Sequence, residues 1–376
     1  MIDDTTASMH ANDTCTPTGI PGDGTTPTQE DCAKQGIAYL LATLLPCAQR
    51  TTSCGAADST GNVANPIDRV GLIVFPGLCA VARGTCSSTL PPGSGTGVPA
   101  EIGCSAADYT AVSKNITYDY SSAPFYGNYS NYQAVPFQSD YRQSDSTTSP
   151  DPNNPWAALA PSSNLVKAVG WYQCPAHAFP GDSGGNEQYG MQDPGGKGTY
   201  YADAILQAGR TFVSAGRPNT HDAIVILSDG DANATARNLA NSKLDPSGAN
   251  ECQAGINAAE AAESAGVLFF SIAYGAAKKG CSTDTSNSST CNATTFTNCT
   301  NDSPICAMEL MADNHVTNPA FANDYQAEQA LCANGTFASD PVHHFYNTPT
   351  GSSFQAAFQS VGNQLTTARL VPDTAS

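Results

Sequence analysis

A doubly wound, mainly parallel α/β sheet is expected for this chain of 376 residues on three grounds. Near-continuous apolar runs of strand length occur at DRVGLIVFPG (68–77), AIVIL (223–227) and VLFFSIAYG (267–275), and such runs suit parallel strands covered on both faces. Stretches of helical length and spacing fall between them, so the two periodicities alternate along the chain. Glycines close several helical stretches, among them Gly216 and Gly266. Alternation of this kind is how a parallel sheet with helical crossovers is written in sequence.

Taken in order, residues 3–10, DDTTASMH, form an acidic and hydroxyl-rich loop, and residues 11–30 read as an irregular Thr/Pro/Gly/Asp-rich excursion. CAKQGIAYLLATLLPCA (32–48) has the length and breadth of apolar surface for a largely buried helix. The strand at 68–77 follows. Residues 78–190 then change character to Ser, Gly, Pro, Asn and Tyr, as in YDYSSAPFYGNYSNYQAVPFQSDY. So long a structureless loop does not belong in a compact domain, so an insertion with its own short strands and disulfides is expected there. Regular structure resumes with a helix at TYYADAILQAGRTFVSAG (199–216), the strand at 223–227, a helix at ECQAGINAAEAAESAG (251–266) and the strand at 267–275. A second insertion, rich in cysteine, occupies 277–305. A helix near ICAMELMADN, a short strand at HHFYNT and a closing amphipathic helix, FQAAFQSVGNQLTTARL, complete a single domain over 1–376.

Lys+Arg number 15 against 33 Asp+Glu, a formal charge of −18. Such a surface repels phosphate backbones and anionic headgroups, which argues against nucleic acid and membrane surfaces and in favour of divalent cations. The 14 cysteines lack the paired spacing of structural zinc sites. They flank loops instead: Cys47 and Cys54 follow an apolar run, and Cys281, Cys291, Cys299 and Cys306 bracket a Ser/Thr/Asn-rich stretch. That pattern fits loop staples formed in an oxidising setting, extracellular, at the cell surface or periplasmic. The longest apolar run, 36–46, is far short of the ~20 residues of a membrane span, and no basic and apolar export signal opens the chain.

Three oxygen-rich turns have the chemistry of a metal site. DTTASM (4–9) offers Asp4, Thr6 and Ser8 at alternate positions, Thr199 stands just ahead of a helix, and Asp229 follows the strand 223–227 in SDGD. A hard divalent cation takes oxygen ligands, typically one or two carboxylates with hydroxyls and waters. In open α/β sheets such ligands gather beyond the carboxyl ends of the strands.

D-x-T-x-S-M, a threonine before a helix and a strand ending in S-D-G-D together resemble the metal-ion-dependent adhesion site (MIDAS) of von Willebrand factor type A domains. The resemblance implies a vWA, Rossmann-like fold, with Asp4, Thr6, Ser8, Thr199 and Asp229 as ligands of magnesium or manganese, calcium also being admissible. It implies a coordination position left for a carboxylate of a protein or surface partner. The combination of DTTASM, NPIDRVGLIVFPG, GKGTYYADAI and ILSDGDA looks most like bacterial TadG-like proteins related to tight-adherence (Flp) pilus assembly, which adds self-association into a pilus or filament as a partnership. Two departures from the family pattern stand out: Thr6 replaces the middle serine and Ala7 replaces a glycine. In that pattern an apolar central strand precedes the first aspartate. Only Met1 and Ile2 stand there, so the first strand is expected to be largely missing, through trimming of the chain or replacement by a strand supplied from elsewhere.

Other strings are weaker. GDSGG (181–185) is the context of a serine-protease nucleophile, here Ser183, but no histidine and aspartate stand in register with it. GGKGT (195–199) lacks the phosphate-loop spacing. DGDAN (229–233) begins like a calcium loop, with Ala234 where glycine belongs and Ala240 where glutamate does. The function expected is therefore non-enzymatic: metal-dependent adhesion or protein binding. The rival readings are a structural filament or envelope component with the metal incidental, a hydrolase acting through Ser183, and a chelatase-type assembly subunit.

Overall fold

The structure, a computed structural model, describes residues 1–15, 28–47, 53–75, 78–80, 116–118, 133–146, 150–151, 154–169, 201–217, 220–229, 251–276, 304–312, 344–348 and 350–367, with Thr199, Ala232, Ser339 and Val342. Six strands form one sheet: β1 (Ile2–Asp4), β2 (Val70–Phe75), β5 (Gln133–Gln138), β6 (Ala223–Ser228), β7 (Leu268–Tyr274) and β8 (Phe345–Thr348). Their order is β5-β2-β1-β6-β7-β8, parallel throughout except for β5, which pairs antiparallel with β2. The chain starts in the middle of the sheet, builds outward one way, then returns to build the other way. That is a doubly wound sheet whose switch point lies between β1 and β6. A separate antiparallel pair, β3 (Leu78–Ala80) with β4 (Ile116–Tyr118), stands apart from it.

Helices cover both faces. On one, α1 (Gln29–Thr43) packs beside α6 (Gly351–Thr367), and short α2 (Asn164–Val169) adjoins α1. On the other lie α3 (Tyr201–Ala215), α4 (Glu251–Ser264) and α5 (Pro304–Ala312). The apolar runs of the strands divide between the two layers by alternation. Leu72, Val74, Val225 and Leu227 enter the core under α1 and α6, whereas Ile73, Phe75, Ile224 and Ile226 enter the core under α3 to α5. This is why β2 and β6 read as continuous apolar runs. Each fully buried side chain of this kind contributes roughly 1.5–3 kcal/mol.

α1 starts at a capping box: the Thr28 hydroxyl accepts from Asp31 N–H at 3.2 Å, while Thr28 N–H donates to Asp31 Oδ2 at 2.9 Å. In mid-helix, Gly36 lets α1 and α6 approach closely, because a Cβ there would stand 2.3 Å from the Phe358 ring. Gly36→Ala is expected to destabilise by about 1–3 kcal/mol through overpacking, although alanine is the better helix former by ~1 kcal/mol. Urea unfolding measures this, and an unchanged midpoint would refute the close approach.

Two elements differ from the sequence expectation. The central strand is short but in place: β1 spans Ile2–Asp4, pairs with β2 and β6 on its two sides, and makes Asp4 a strand residue. Two of its three residues are acids, so it does not read as an apolar run. Within 78–190, β3 and β4 form their own ladder, but residues 133–146 and 154–169 join the main body. β5 is the sheet's edge strand, its Pro136 exposed as an edge tolerates, and Trp156, Leu159, Leu165 and Val166 enter the core under α1. Cys15–Cys32 and Cys47–Cys54 are disulfides, and Cys252 and Cys306 are also disulfide-bonded. Cys281, Cys291 and Cys299 lie outside the described residues, as do Ser183, most of the tyrosine-rich stretch, and Asp231 and Asn233 of the calcium-like string. No helix among the described residues is long and apolar enough to cross a membrane.

Candidate metal centre

β1 and β6 are neighbours, and both run out at the same edge of the sheet. Asp4 is the last residue of β1, and Asp229 is the first residue beyond β6. The chain leaves β1 through Thr5, whose N–H and hydroxyl both bond to the Phe75 carbonyl, at 3.0 and 3.2 Å. It then turns into a 3-10 segment, Ala7–His10. This turn brings the alternate residues of D-x-T-x-S to one place. Thr6 N–H donates to Asp4 Oδ1 at 2.9 Å, the Thr6 and Ser8 hydroxyls lie 2.9 Å apart, and the Ser8 hydroxyl donates to Asp229 Oδ1 at 2.7 Å. One hydrogen-bonded line therefore joins Asp4, Thr6, Ser8 and Asp229 across 221 residues of sequence between its last two members.

Thr199, the fifth residue expected, is buried and pairs through an isolated parallel bridge with Ala232, three residues beyond Asp229. The bridge carries it to the loop that leaves β6. Burial grades across the group: Asp4, Thr6 and Thr199 are buried, Asp229 is half-buried and Ser8 is exposed. The group thus opens to solvent on the Ser8 side.

Burial pushes the Asp4 carboxyl up to about 7, and the nearby Asp229 carboxylate pushes the same way, against hydrogen bonds from Ser228 and Thr6. Asp3 is raised as well, first by burial and then by Asp4, against the nearby Lys34 ammonium, and neither of its carboxylate oxygens has a hydrogen-bond partner. Negative charge is concentrated here beyond what the local donors offset. The donor set, two carboxylates and two hydroxyls in contact with a third hydroxyl residue near by, is all oxygen and fits a hard divalent cation.

Four supporting residues, Ser228, Tyr201, Asp13 and Tyr274, were not singled out in the sequence. The Ser228 hydroxyl donates to Asp4 Oδ2 at 2.5 Å and lies 3.2 Å from the Tyr201 hydroxyl, so the second oxygen of Asp4 is fixed from β6 and α3. Asp13 accepts from the Tyr274 hydroxyl at 2.5 Å and from Gly351 N–H at 2.9 Å, which pins the loop after Ser8 to β7 and α6. Ser228 was visible as the first letter of SDGD. Nothing in the sequence marked Asp13 or Tyr274, because their pairing spans 261 residues.

No protein-family model matches the chain, and no curated protein matches it. Among solved structures, the crystal structure of the pilus adhesin SpaC from Lactobacillus rhamnosus GG aligns with 97% of this chain at 12% identity and a TM-score of 0.39. The alignment spans 30% of that protein, and a likeness of this size carries no argument about function.

Proposed function

We propose that this chain is a binding module that holds magnesium or manganese, with calcium admissible, and meets a carboxylate of a protein or surface partner at that place. The observation behind this reading is the line Asp4–Thr6–Ser8–Asp229, assembled where the sheet reverses its winding and beyond the carboxyl ends of its strands. Ligands of open α/β sheets bind at such switch points. When bound, the ion would supply positive charge with a coordination position left for an acidic group.

The chain's own residues do the rest. Asp4 and Asp229 supply negative charge, Thr6 and Ser8 supply neutral oxygens, and Thr199 stands ready at the same edge. Ser228 and Thr6 N–H hold Asp4 in one orientation. The exposed Ser8 side sets the direction from which a partner arrives. A chain of charge −18 repels acidic partners at long range, so an acidic partner is recognised only where a cation reverses the local sign. The von Willebrand A-type resemblance supports the same five residues, and the likeness to TadG-like proteins supports a surface or filament setting. The disulfides support an oxidising compartment.

Calorimetric titration with magnesium and manganese chlorides tests the proposal on the full chain and on Asp229→Ala. Wild type is expected to bind one ion. Asp229→Ala is expected to weaken binding on the order of 100-fold or more, since even the partners of metal ligands typically cost 10–100-fold. Equal binding by both proteins would place the ion elsewhere, and no binding by wild type would end the metal reading.

A further inference from the structure

One side of α3 is packed and the other is open. Tyr201, Ala204, Ile205 and Ala208 are buried in the core that α3 shares with α4, whereas Leu206, Arg210, Val213 and Ser214 face solvent. Val213 is 91% exposed and Leu206 42%, and among the described residues large apolar side chains are seldom so open. Asp203, Leu206, Arg210, Val213 and Arg217 follow one another at alternating spacings of three and four residues. That is the seam by which one helix packs along another.

A glycine beside this seam has no packing reason inside the chain. A Cβ at Gly36, Gly255 or Gly362 would stand 2.3, 3.0 or 2.8 Å from Phe358, Tyr201 or Thr43, so each of those glycines makes room for a neighbour in the same molecule. A Cβ at Gly209 would meet no atom within 4 Å. Glycine is a poor helix former, and Gly209 sits in mid-helix among Leu206, Arg210 and Val213. The room it leaves is on the outside.

We infer that this face of α3 packs against the same face of a second copy of the chain, antiparallel, about a two-fold axis at Arg210. Leu206 of each copy then meets Val213 of the other, and Asp203 in the first turn meets Arg217 just past the helix end. The two Gly209 residues approach across the axis and leave space for the Arg210 stems to pass. Charge selects both the occupant and its direction. A parallel pair would set Asp203 against Asp203 and Arg217 against Arg217, whereas the antiparallel pair matches acid with base at both ends. The Arg217 guanidinium is already steadied by the carbonyls of Pro66 and Ile67, to which it donates. It has more N–H groups than those two bonds use, so a carboxylate can join them.

Such a contact uses one patch twice and closes at two copies, unlike a head-to-tail contact, which grows a filament. α3 begins beside the candidate metal centre, with the Tyr201 hydroxyl 3.2 Å from the Ser228 hydroxyl, so antiparallel pairing sets the two centres at opposite ends of the paired helices. A single helix face lies at the low end of interface sizes, below about 1,200 Å², and association is therefore expected at about 10–100 µM. Two chains of charge −18 repel one another at long range, and salt at physiological strength, with a Debye length of ~8 Å, screens that repulsion without undoing close contacts.

Sedimentation equilibrium of the full chain in ~0.15 M salt with a chelator, from roughly 5 to 500 µM, tests the inference. The mass is expected to rise from that of one chain to that of two and no further. Val213→Lys is expected to weaken the dimer more than about tenfold with Tm unchanged at low concentration, because the side chain it replaces touches little in the single chain. Gly209→Ala is expected to weaken the dimer several-fold while keeping or raising Tm, since its methyl group meets nothing until a second copy arrives. A single-chain mass at the highest concentration would overturn the proposal and leave this face of α3 to a different protein. A dimer that both variants form as readily as wild type would place the contact elsewhere and overturn it equally. None of these readouts depends on metal.

Discussion

Asp4→Asn is expected to stabilise the metal-free protein near neutral pH and to abolish its response to magnesium, two effects of opposite sign from one substitution. The amide has the shape of the carboxylate. Thr6 N–H still donates to its oxygen, and the Ser228 hydroxyl turns from donor to acceptor at the other atom. What disappears is a buried negative charge beside Asp229. The sign follows from the direction of the shift. A carboxyl raised from an ordinary value of 3.8 to about 7 holds its proton more tightly in the folded state. Its contribution is fully present below the unfolded pKa and is lost as pH rises through the folded one. At about pH 8 the wild type has therefore given up a few kcal/mol, at most ~4, that the amide variant keeps, and at about pH 4 the two converge. Every other titrating group is common to both proteins, so the Met1 amine drops out of the difference. Asp3, which Asp4 pushes upward, relaxes in the same direction. Urea unfolding in the presence of a chelator at several pH values measures the difference, and magnesium added at the higher pH should stabilise the wild type alone. A difference that stays flat with pH would show that Asp4 carries no such strain. A magnesium response retained by the variant would remove Asp4 from the ligands.

The same charge explains what the sequence showed and what it hid. β2, β6 and β7 were legible because both of their faces are covered, which forces near-continuous apolar runs: Val70–Phe75, Ala223–Ser228 and Leu268–Tyr274 fall within a residue or two of expectation. The helices at 201–215, 251–264 and 351–367 were legible from spacing and from terminal glycines. β1 was not, because two of its three residues are aspartates, and a strand that ends in a charged site gives up the apolar pattern that would announce it. β5 was hidden for a different reason. QAVPFQ carries a proline and sits among tyrosines, serines and asparagines, so it reads as loop, although an edge strand tolerates both features. At the site, the turn Asp4–Thr6–Ser8 and the strand end at Asp229 were legible as oxygen-rich strings. Their support from Ser228, Tyr201, Asp13 and Tyr274 was not, since those contacts are made only by folding.

Removing the Cys15–Cys32 disulfide with paired Cys15→Ala and Cys32→Ala substitutions is expected to cost about 3 kcal/mol of stability yet to change magnesium affinity less than about threefold. The bond closes a loop between residues 17 apart and joins the exit of the site loop to the first turn of α1, where Cys32 and Cys15 pack against Gly351. Loop closure gives that magnitude, and the seven-residue separation of Cys47–Cys54, with Cys54 half-buried, gives roughly 2 kcal/mol by the same reasoning. The site feels the loss less than the fold does because its loop is tied down three further times. Ala11 accepts from Gln29 N–H at 2.9 Å, Asp13 holds Tyr274 and Gly351, and Ser8 holds Asp229. Each tie fixes the loop in the folded state, whereas the disulfide acts chiefly by restricting the unfolded chain. Thermal unfolding and magnesium titration of the double variant separate the two. A large fall in affinity together with stability would mean that the disulfide positions Ser8 directly, and an unchanged Tm would mean that the loop is already constrained when unfolded.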